Sequence, residues 1–284
     1  ALLKCGANIF GFNAVRNHLS RLKGGQLARL AAPATLISLV LSDVIGDSLE
    51  TIASGPTVPD SSTYSDCLDV IHRYELTTEI PLAVLDYLEC GARGEIAETP
   101  KDSDAIFERV QNVIVGNIRI AISSARRRAE ELGYQTGVFS EAIQGESRLV
   151  ARSFSSLLKE IATKDQPISR PACVIAGGET TVTIRGDGMG GRNQEFALSA
   201  AIELSGVNDV VVLSAGTDGT DGPTDAAGAI VDSKTVERAI TQGLDPAALL
   251  DKNDSYHLLQ ATHDLLFTGP TLTNVMDLQV GLVA

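Results

Sequence analysis

The sequence contains no tryptophan, few aromatic side chains and no excess of positive charge. Its 284 residues include 5 tyrosines and 7 phenylalanines, and the formal net charge at pH 7 is −13. Because non-specific binding to nucleic acid or to an anionic membrane requires a basic surface, we expect neither as a partner. An acidic protein still binds an anionic small molecule when a few arginines and lysines are concentrated in a cleft.

The sequence also lacks paired cysteines, long apolar runs and a signal-peptide pattern. None of its 4 cysteines, Cys5, Cys67, Cys90 and Cys173, belongs to a C-x-x-C pair, so reduced thiols in a reducing compartment are the simplest interpretation. No apolar stretch reaches the length of a membrane span. We therefore expect a cytoplasmic protein, although targeting to an organelle by a leader stays open.

Two familiar nucleotide-binding signatures are absent as well. The sequence has neither the G-x-x-x-x-G-K-[ST] loop nor the H-R-D and D-F-G motifs of protein kinases, which excludes both scaffolds. A hydrophobic content of 44% with 21% charged residues is typical of a globular protein. The length is sufficient for one large α/β domain or two smaller ones.

What the sequence does contain is a glycine-rich segment at 177–195, GGETTVTIRGDGMGGRNQE. Val182 and Ile184 alternate with polar residues, which predicts a half-buried strand. Arg192 opens an amphipathic stretch with helical spacing, so the segment predicts a strand, a glycine loop and a helix start. Unpaired N–H groups at a helix start, together with a guanidinium, suit a phosphate or a carboxylate. The alternative is a glycine hairpin with Arg192 on a solvated surface. The loop glycines are Gly186, Gly188, Gly190 and Gly191.

Similar polar loops follow other predicted strands in the second half. The buried run 209–215 leads into Asp218 and Asp221, and Asn274 lies in a turn before the last predicted strand. Because ligands of open α/β sheets bind at strand ends, we expect these loops to build one site. The clustered aspartates repel one another unless a metal or Arg192 lies nearby. The alternative is that they are ordinary turn formers.

In the first half, the apolar run 36–42 predicts a parallel strand that is buried on both faces. Asp43 and Asp47 follow it, and they either bind Mg²⁺ near a phosphate or act as turn formers and helix caps. The next loop is rigid, and it could offer backbone N–H and hydroxyl donors to a nucleotide or to the metal shell. Its candidate residues are Ser54, Gly55, Pro56 and Thr57.

Apolar spacing predicts helices near the N-terminus, where Asn13 is a candidate cap, and at 64–74, 81–91 and 146–163. A strand at 112–117, the helix after it and a strand at 134–140 predict a βαβ unit with a right-handed parallel crossover. Asn117, at the end of the first of these strands, either contacts a ligand or caps the helix.

Residues 164–171 have the composition of a linker. We therefore predict a first domain at 1–165 and a second at 171–284.

Several long motifs together resemble one known family. GGETTV, GMGGRNQE, SAGTDGTDGPTDAAGA, KNDSYHLL and TGPTLTNVMDLQV are similar to the C-terminal half of the glycerate 2-kinase family, including its MOFRL domain. VRNHLSRLKGGQLA and LSDVIGDSLETIASGPTVPD are similar to the middle of the same family. The resemblance extends over nearly the entire chain.

The resemblance implies an α/β fold of two domains with a ligand cleft between them. The first domain is expected to contain a Rossmann-like, largely parallel sheet and the second a mixed sheet. The implied activity is ATP-dependent phosphorylation of D-glycerate to 2-phosphoglycerate, with Mg²⁺; the residues alone do not separate transfer to carbon 2 from transfer to carbon 3. A homodimer stays open.

The resemblance also assigns roles to residues. Arg192 is expected to hold the glycerate carboxylate or the γ-phosphate through two hydrogen bonds, and Asp218 to orient or deprotonate the attacking hydroxyl. Asp43 or Asp47 is expected to bind Mg²⁺, and Lys23 to add charge at the phosphates. The further candidates for substrate or nucleotide binding are Arg16, Ser54, Gly55, Pro56, Thr57, Asn117, Glu179, Gly190, Gly191, Asn193, Asp221 and Asn274.

In the family, about a third of the chain precedes the segment found here, and it includes a lysine implicated in catalysis. We therefore expect this chain to be an incomplete version of the protein. A second hypothesis follows, in which the chain is a non-catalytic module that binds anions or dimerises.

Overall fold

The computed structural model describes residues 1–2, 5–6 and 8–284. The chain divides into two compact units. The first unit comprises Ala1–Val40 and Gly46–Val115, and the second comprises Leu41–Ile45 and Gly116–Ala284.

The first unit is mainly helical, with a short sheet in which β1 pairs with β2. Its elements are α1 (Ile9–Leu19), α2 (Gln26–Ala31), β1 (Leu36–Leu41), α3 (Tyr64–Arg73), α4 (Leu82–Ala92) and β2 (Val110–Gly116). The core of the unit forms where apolar residues of α1, α3 and α4 pack together, among them Val15, Ile71 and Leu88. The two predicted helices at 64–74 and 81–91 are confirmed as α3 and α4.

Two expectations for this unit are wrong. Helix α1 begins earlier than predicted, because Asn8 is its cap and accepts a hydrogen bond from the Gly11 N–H at 2.9 Å. Asn13 therefore lies inside the helix. Strand β1 is half-buried on one face and exposed on the other, where Ile37 is 61% exposed and Leu39 is 70% exposed.

The second unit is built on a six-stranded sheet with the order β3-β4-β8-β5-β6-β7. Strands β3 and β4 are parallel and the other neighbours are antiparallel, so the predicted mixed sheet is confirmed. The elements are α5 (Ile118–Glu131), β3 (Gln135–Ile143), α6 (Ser147–Lys164), β4 (Ala172–Gly178), α7 (Arg192–Glu203), β5 (Val210–Gly216), β6 (Gly228–Asp232), α8 (Thr235–Thr241), α9 (Pro246–Asp251), α10 (Ser255–Ala261), β7 (Leu265–Leu266) and β8 (Asp277–Val283).

Helices cover both faces of this sheet. Successive side chains of a strand point to opposite faces, and β4 is buried along its whole length. Val174 belongs to the core shared with α6 and α7, whereas Ile175 belongs to the core shared with α5. The ends of β4, β8 and β5 are therefore fixed by packing from two sides.

The structure differs from the predicted organisation around 134–171. Strand β3 pairs with β4, and β2 belongs to another sheet, so the parallel crossover runs through α6 and not through α5. Because β3 and α6 contribute to the same sheet and core as β4, the compact units divide at Val115 and Gly116, and not at 164–171. Within the described residues, no helix combines the length and apolar character needed to cross a membrane.

Candidate active site

Three strand ends meet at one edge of the six-stranded sheet. Asp277 is the first residue of β8 and pairs with Gly178 at the end of β4 and with Gly216 at the end of β5. The chain leaves β4 through Glu179 and leaves β5 through Thr217 and Asp218. The sheet therefore brings together residues that are far apart in sequence.

Arg192, the first residue of α7, is held at this edge by two carboxylates. Its Nε donates to Oδ2 of Asp277 at 2.6 Å and its Nη2 donates to Oδ1 of Asp277 at 2.9 Å. Its Nη1 lies 2.8 Å from Oε1 of Glu179. The hydrogen bonds to Asp277 raise the pKa of Arg192 above its ordinary value, although burial opposes this. The Nε and Nη2 edge of the guanidinium is therefore bonded to a buried carboxylate, and a ligand cannot form a bidentate pair with that edge.

An open pocket of ≈ 640 Å³ lies beside this guanidinium, and we call it the Arg192 pocket. It is lined by Ile45, Gln144, Gly145, Glu179, Thr180, Thr181, Val182 and Arg192. Ile45 belongs to the segment that follows β1, two residues after the exposed Asp43. The predicted Asp43 segment, Glu179 and Arg192 are thus brought together in the second unit.

The start of α7 is capped by Asp221. The Asp221 carboxylate accepts hydrogen bonds from the backbone N–H of Asn193 at 3.0 Å and of Gln194 at 2.9 Å, and from both of their side-chain amides. Burial raises the pKa of Asp221 to about 6, although these donors lower it. Asp221 and Asn193 were predicted to bind ligand, but they are buried and bonded to each other, because the unpaired N–H groups of a helix start need an acceptor.

The glycine loop packs closely against other segments of the same unit. A Cβ on Gly191 would collide with the Asp221 carboxylate, and a Cβ on Gly190 would collide with Oγ of Ser255. Gly186 and Gly188 are packed in the same way against the segment that follows α9. Gly190 and Gly191 were predicted to approach a ligand, and the structure shows instead that their missing side chains allow close internal packing.

Asn253 and Asp254 hold the shape of that loop. Oδ1 of Asn253 accepts hydrogen bonds from the backbone N–H of Arg185 at 2.6 Å and of Gly186 at 3.2 Å, and Asp254 accepts from Met189 N–H at 3.0 Å. Residues 182–185 therefore form a loop and not the predicted strand, because side chains and not a neighbouring strand take up their backbone donors.

A buried ion pair lies behind the loop. Nε of Arg148 donates to Oε1 of Glu195 at 2.9 Å, and the Asn253 amide donates to Oε2 of the same carboxylate at 2.9 Å. Both oxygens of Glu195 are thereby satisfied, which a buried charge requires. The pair connects α6, α7 and the loop-holding Asn253.

The loop after β5 places Asp218 at the same sheet edge. Thr217 donates from Oγ1 to the Met276 carbonyl at 2.6 Å and accepts from Val275 N–H at 2.9 Å. Oδ1 of Asp218 accepts from Thr220 N–H at 2.9 Å. Asn274 is exposed, and its Oδ1 accepts from Met276 N–H at 3.0 Å, so it shapes its own turn.

Asn117 acts as a helix cap. Its Oδ1 accepts from Ile120 N–H at 2.9 Å at the start of α5. Of the two interpretations of Asn117, the structure supports the cap.

The candidates in the first unit lie around a tight turn at 53–55. Nζ of Lys23 donates to the Ala53 carbonyl at 3.2 Å, and Ser54 donates from Oγ to Asn13 Oδ1 at 3.0 Å. Thr57 is buried and donates from Oγ1 to Asn112. The Ser54 and Thr57 hydroxyls were expected to be open to a ligand, but they are used inside the unit because side-chain acceptors lie beside them.

The remaining first-unit candidates are Gly55, Pro56, Arg16 and Asp47. The Pro56 carbonyl accepts from Ala28 N–H at 3.3 Å, and Gly55 adopts a left-handed conformation with φ 57°. The Arg16 guanidinium lies 5.0 Å from the centre of the Phe12 ring. Asp47 is also left-handed, with φ 57°.

Sequence reasoning missed Asp277, Asn253 and Glu195 as parts of the site. Each lies far along the chain from its partner, and its only local signal is that it is a polar residue near the end of a strand or helix. Asn253 stands shortly before α10, and no side-chain cap bond is made at the start of that helix.

Sequence models match for the MOFRL family at residues 172–277 and for a domain of unknown function (DUF4147) at residues 1–89. The chain is 46% identical over 283 residues to D-glycerate 2-kinase of Thermotoga maritima, covering 100% of this chain and 65% of that protein. It is 40% identical to glycerate kinase of Macaca fascicularis, covering 96% of this chain and 78% of that protein.

The crystal structure of glycerate kinase from Thermotoga maritima matches with a TM-score of 0.91 and 45% identity, covering 100% of this chain and 65% of that chain. This chain thus spans slightly less than two thirds of the Thermotoga protein. Identity at this level over the whole chain establishes common descent and a common fold, and the chain belongs to the glycerate kinase family.

Proposed function

We propose that the chain catalyses ATP-dependent phosphorylation of D-glycerate to 2-phosphoglycerate. The relatives named D-glycerate 2-kinase and glycerate kinase support this reaction class. The observation that carries the proposal is the Arg192 guanidinium, which is fixed by the buried Asp277 and lines an open pocket.

A fixed guanidinium beside a pocket favours an anionic ligand. Phosphoryl transfer depends mainly on positioning and on neutralising charge, so an arginine whose geometry is set before the ligand arrives is well suited to it. With its Nε edge bonded to Asp277, Arg192 offers the remaining N–H groups of Nη1 and Nη2 to a carboxylate or phosphate.

Glu179 is the group that the ligand has to replace. Its carboxylate lies 2.8 Å from Nη1 of Arg192 and is about half exposed, so it can turn into solvent when an anion binds. Asp277 is 0% exposed and stays in place. The two carboxylates therefore have different roles, one as a permanent partner and the other as an exchangeable one.

Asp218 is the residue that we assign to the substrate hydroxyl. Oδ1 of Asp218 is bonded to its own turn, which leaves Oδ2 as the acceptor for a hydroxyl proton. The pairing of β5 with β8 keeps this turn at the same sheet edge as Arg192.

A magnesium ion fits the donor set only together with substrate phosphates. Among the described residues, no group of three or more His, Cys, Asp or Glu side chains is arranged to hold a metal. Mg²⁺ commonly uses one or two carboxylates and the phosphates of its substrate, and the exposed Asp43 carboxylate would supply one. When bound, the ion would neutralise phosphate charge. Lys23 and Arg16 would add positive charge at the nucleotide.

A homodimer and a cytoplasmic location remain predictions from the sequence.

The test is release of ADP on addition of D-glycerate, ATP and Mg²⁺, with phosphorus NMR to identify the phosphorylated carbon. The Thermotoga maritima relative is the positive control, and Arg192→Lys is the variant, because it keeps the charge and removes the planar fork. We expect ADP release from this chain and a loss of roughly a hundredfold in the variant. No ADP release from this chain beside an active relative would favour the non-catalytic module.

A further inference from the structure

A second pocket, in the first unit, is lined by buried polar side chains that the proposed mechanism does not use. It has a volume of ≈ 90 Å³ and is partly enclosed. Asn13, Asn17 and Asp60 line it, and they are 8%, 6% and 6% exposed. We call it the Asn13 pocket. Polar side chains with so little exposure are usually hydrogen-bonded, so an unused donor or acceptor among them indicates a place for a ligand.

Among the described residues, the amide nitrogen of Asn13 has no hydrogen-bond partner. Its Oδ1 accepts from Ser54 Oγ at 3.0 Å, whereas Nδ2 makes no hydrogen bond to any described residue. Asn17 is different, because its amide nitrogen donates to the backbone carbonyls of Asn13 and Ser54 in its favoured orientation. The pocket is therefore lined by a side-chain donor that is accessible to a ligand.

Asp60 supplies an open acceptor. Oδ1 of Asp60 accepts from the backbone N–H of Ser62 at 3.0 Å and from its hydroxyl at 2.7 Å. Oδ2 lies 3.9 Å from Nδ1 of His18, but that nitrogen is 2.8 Å from the Ala14 carbonyl and donates there. Oδ2 is therefore left as an acceptor in the pocket.

A rigid turn frames these two groups. Ala53, Ser54 and Gly55 are all left-handed, with φ values of 53°, 61° and 57°. The Gly24 N–H donates to the Ser54 carbonyl at 2.9 Å, and the Gly25 N–H donates to the Gly55 carbonyl at 2.8 Å. A non-glycine residue in this region costs energy and persists only where the surroundings fix it. The geometry of the pocket is thus set before a ligand binds.

Gly24 lines the pocket, and its lack of a side chain allows Asn17 and Asp60 to lie close to its backbone. An ideal Cβ on Gly24 would lie 2.7 Å from Cβ of Asn17 and 2.9 Å from Oδ2 of Asp60. Any larger residue would push the acceptor out of place. This glycine belongs to the KGG motif of the sequence, and its function is to let the two polar side chains approach the turn.

The mixture of donor and acceptor selects the chemistry of the ligand. A metal cation is disfavoured by the amide N–H of Asn13. A phosphate or carboxylate group inside the pocket is disfavoured by Asp60 and by Glu50 on the lining, so the charged end of a ligand would lie outside it. A hydroxyl group donates and accepts at once, so it satisfies both. Phe10, which is 70% exposed, also lines the pocket and offers apolar surface to the carbon side of such a ligand.

We propose that the Asn13 pocket binds a ligand through two adjacent hydroxyl groups, with Asp60 as acceptor and the Asn13 amide as donor. This inference rests on the proposed function for its choice of ligands, because both the ribose of a nucleotide and glycerate carry adjacent hydroxyls. The shared chemistry is the vicinal diol, and experiment separates the two sources.

The test is isothermal titration calorimetry on the whole chain with two pairs of ligands. Adenosine is compared with 2′,3′-dideoxyadenosine, and D-glycerate is compared with D-lactate, which lacks one hydroxyl. We expect one diol to bind at least about tenfold more tightly than its deoxy partner. The pair that shows the preference identifies the source.

Two isosteric variants assign that preference to the pocket. Asp60→Asn removes the acceptor, and Asn13→Asp removes the donor but keeps the acceptor for Ser54. Each is expected to abolish the preference for the diol, whereas Asp69→Asn, the same change at an exposed position of α3, is expected to keep it. Thermal melting shows which variants fold, and either folded variant is sufficient.

The inference is overturned if neither diol is preferred by the unaltered chain, or if the preference survives in a folded pocket variant. Binding is measured without phosphoryl transfer. A chain that prefers a diol but releases no ADP would therefore refute the proposed function and leave the pocket assignment intact.

Discussion

Asp277 holds Arg192 through two hydrogen bonds, from Nε to Oδ2 at 2.6 Å and from Nη2 to Oδ1 at 2.9 Å. The carboxylate is fully buried, whereas the arginine side chain is 36% exposed. The pair therefore joins the interior of the sheet to the Arg192 pocket. Because Asp277 belongs to β8, the sheet fixes the orientation of the Arg192 guanidinium, which would otherwise be flexible.

Asp277→Asn should lower kcat/KM by roughly ten- to a hundredfold, because an amide replaces one of the two acceptors with a donor and releases the guanidinium. Steady-state kinetics with D-glycerate would measure this. Asp165→Asn is the matched control, since Asp165 bonds Arg170 through the same two nitrogens on an exposed surface. Equal kinetics for Asp277→Asn and the unaltered chain would contradict the positioning role.

Arg192→Ala should destabilise the fold by about 2 kcal/mol, because it leaves the Asp277 carboxylate buried without a counter-ion. Adding Asp277→Asn should restore much of that loss while activity stays absent. Urea unfolding of the single and double variants measures the difference. If the stability losses of Arg192→Ala and Asp277→Asn simply add in the double variant, the loss in Arg192→Ala is not caused by the unpaired Asp277 charge.

Asp221 should make stability depend on pH in an unusual direction. Its pKa is raised from 3.8 to about 6 in the folded chain, mainly by burial, so the folded state binds this proton more tightly than the unfolded state does. The contribution is present below pH about 4 and is lost as pH rises to about 6, amounting to about 3 kcal/mol.

Asp221→Asn removes this titration. Relative to the unaltered chain, the unfolding free energy of the variant should therefore increase between pH 4 and 6 and stay level above pH 6. Denaturant melts across this range, with Asp69→Asn as the control, give the comparison. A constant difference at every pH would show that Asp221 titrates normally.

Asn253→Gly should release the glycine loop without straining the backbone, because φ is 57° at this position and glycine accepts that value. The Arg185 and Gly186 N–H groups lose their common acceptor, so trypsin should cut after Arg185 several-fold faster. Mass spectrometry of timed digests identifies the cut. Asn208→Gly, at an exposed loop position, should leave the rate unchanged; an equal rate in both variants would contradict the role of Asn253.

Sequence patterns predicted the elements whose signal is local. The start of α7 at Arg192 and strands β5 and β8 follow from glycine runs and apolar spacing over short windows. Asp277 was missed because its partner Arg192 lies 85 positions away, and no local pattern records that distance.

Local alternation also produced an error. Val182 and Ile184 alternate with polar residues as in a strand, but the neighbouring backbone donors bond to side chains of distant segments. Thr183 N–H, for example, donates to the Glu146 carboxylate at 3.2 Å, and Arg185 N–H donates to Asn253. Asn13 was misjudged for a similar reason, because an asparagine near a helix start resembles a cap even when it lies one turn further in.

The position of β8 between β4 and β5 has a consequence for biosynthesis. Strand β8, which joins the two halves of this sheet, follows the other five strands in the chain, so β4 and β5 expose unpaired edges until it leaves the ribosome. Arg192 gains its permanent counter-ion at the same moment. A nascent chain that stalls shortly before residue 277 would expose two separate sheets, β3-β4 and β5-β6-β7, each with an unpaired edge strand, and Arg192 would lack its Asp277 partner. Exposed edge strands of this kind are expected to recruit chaperones.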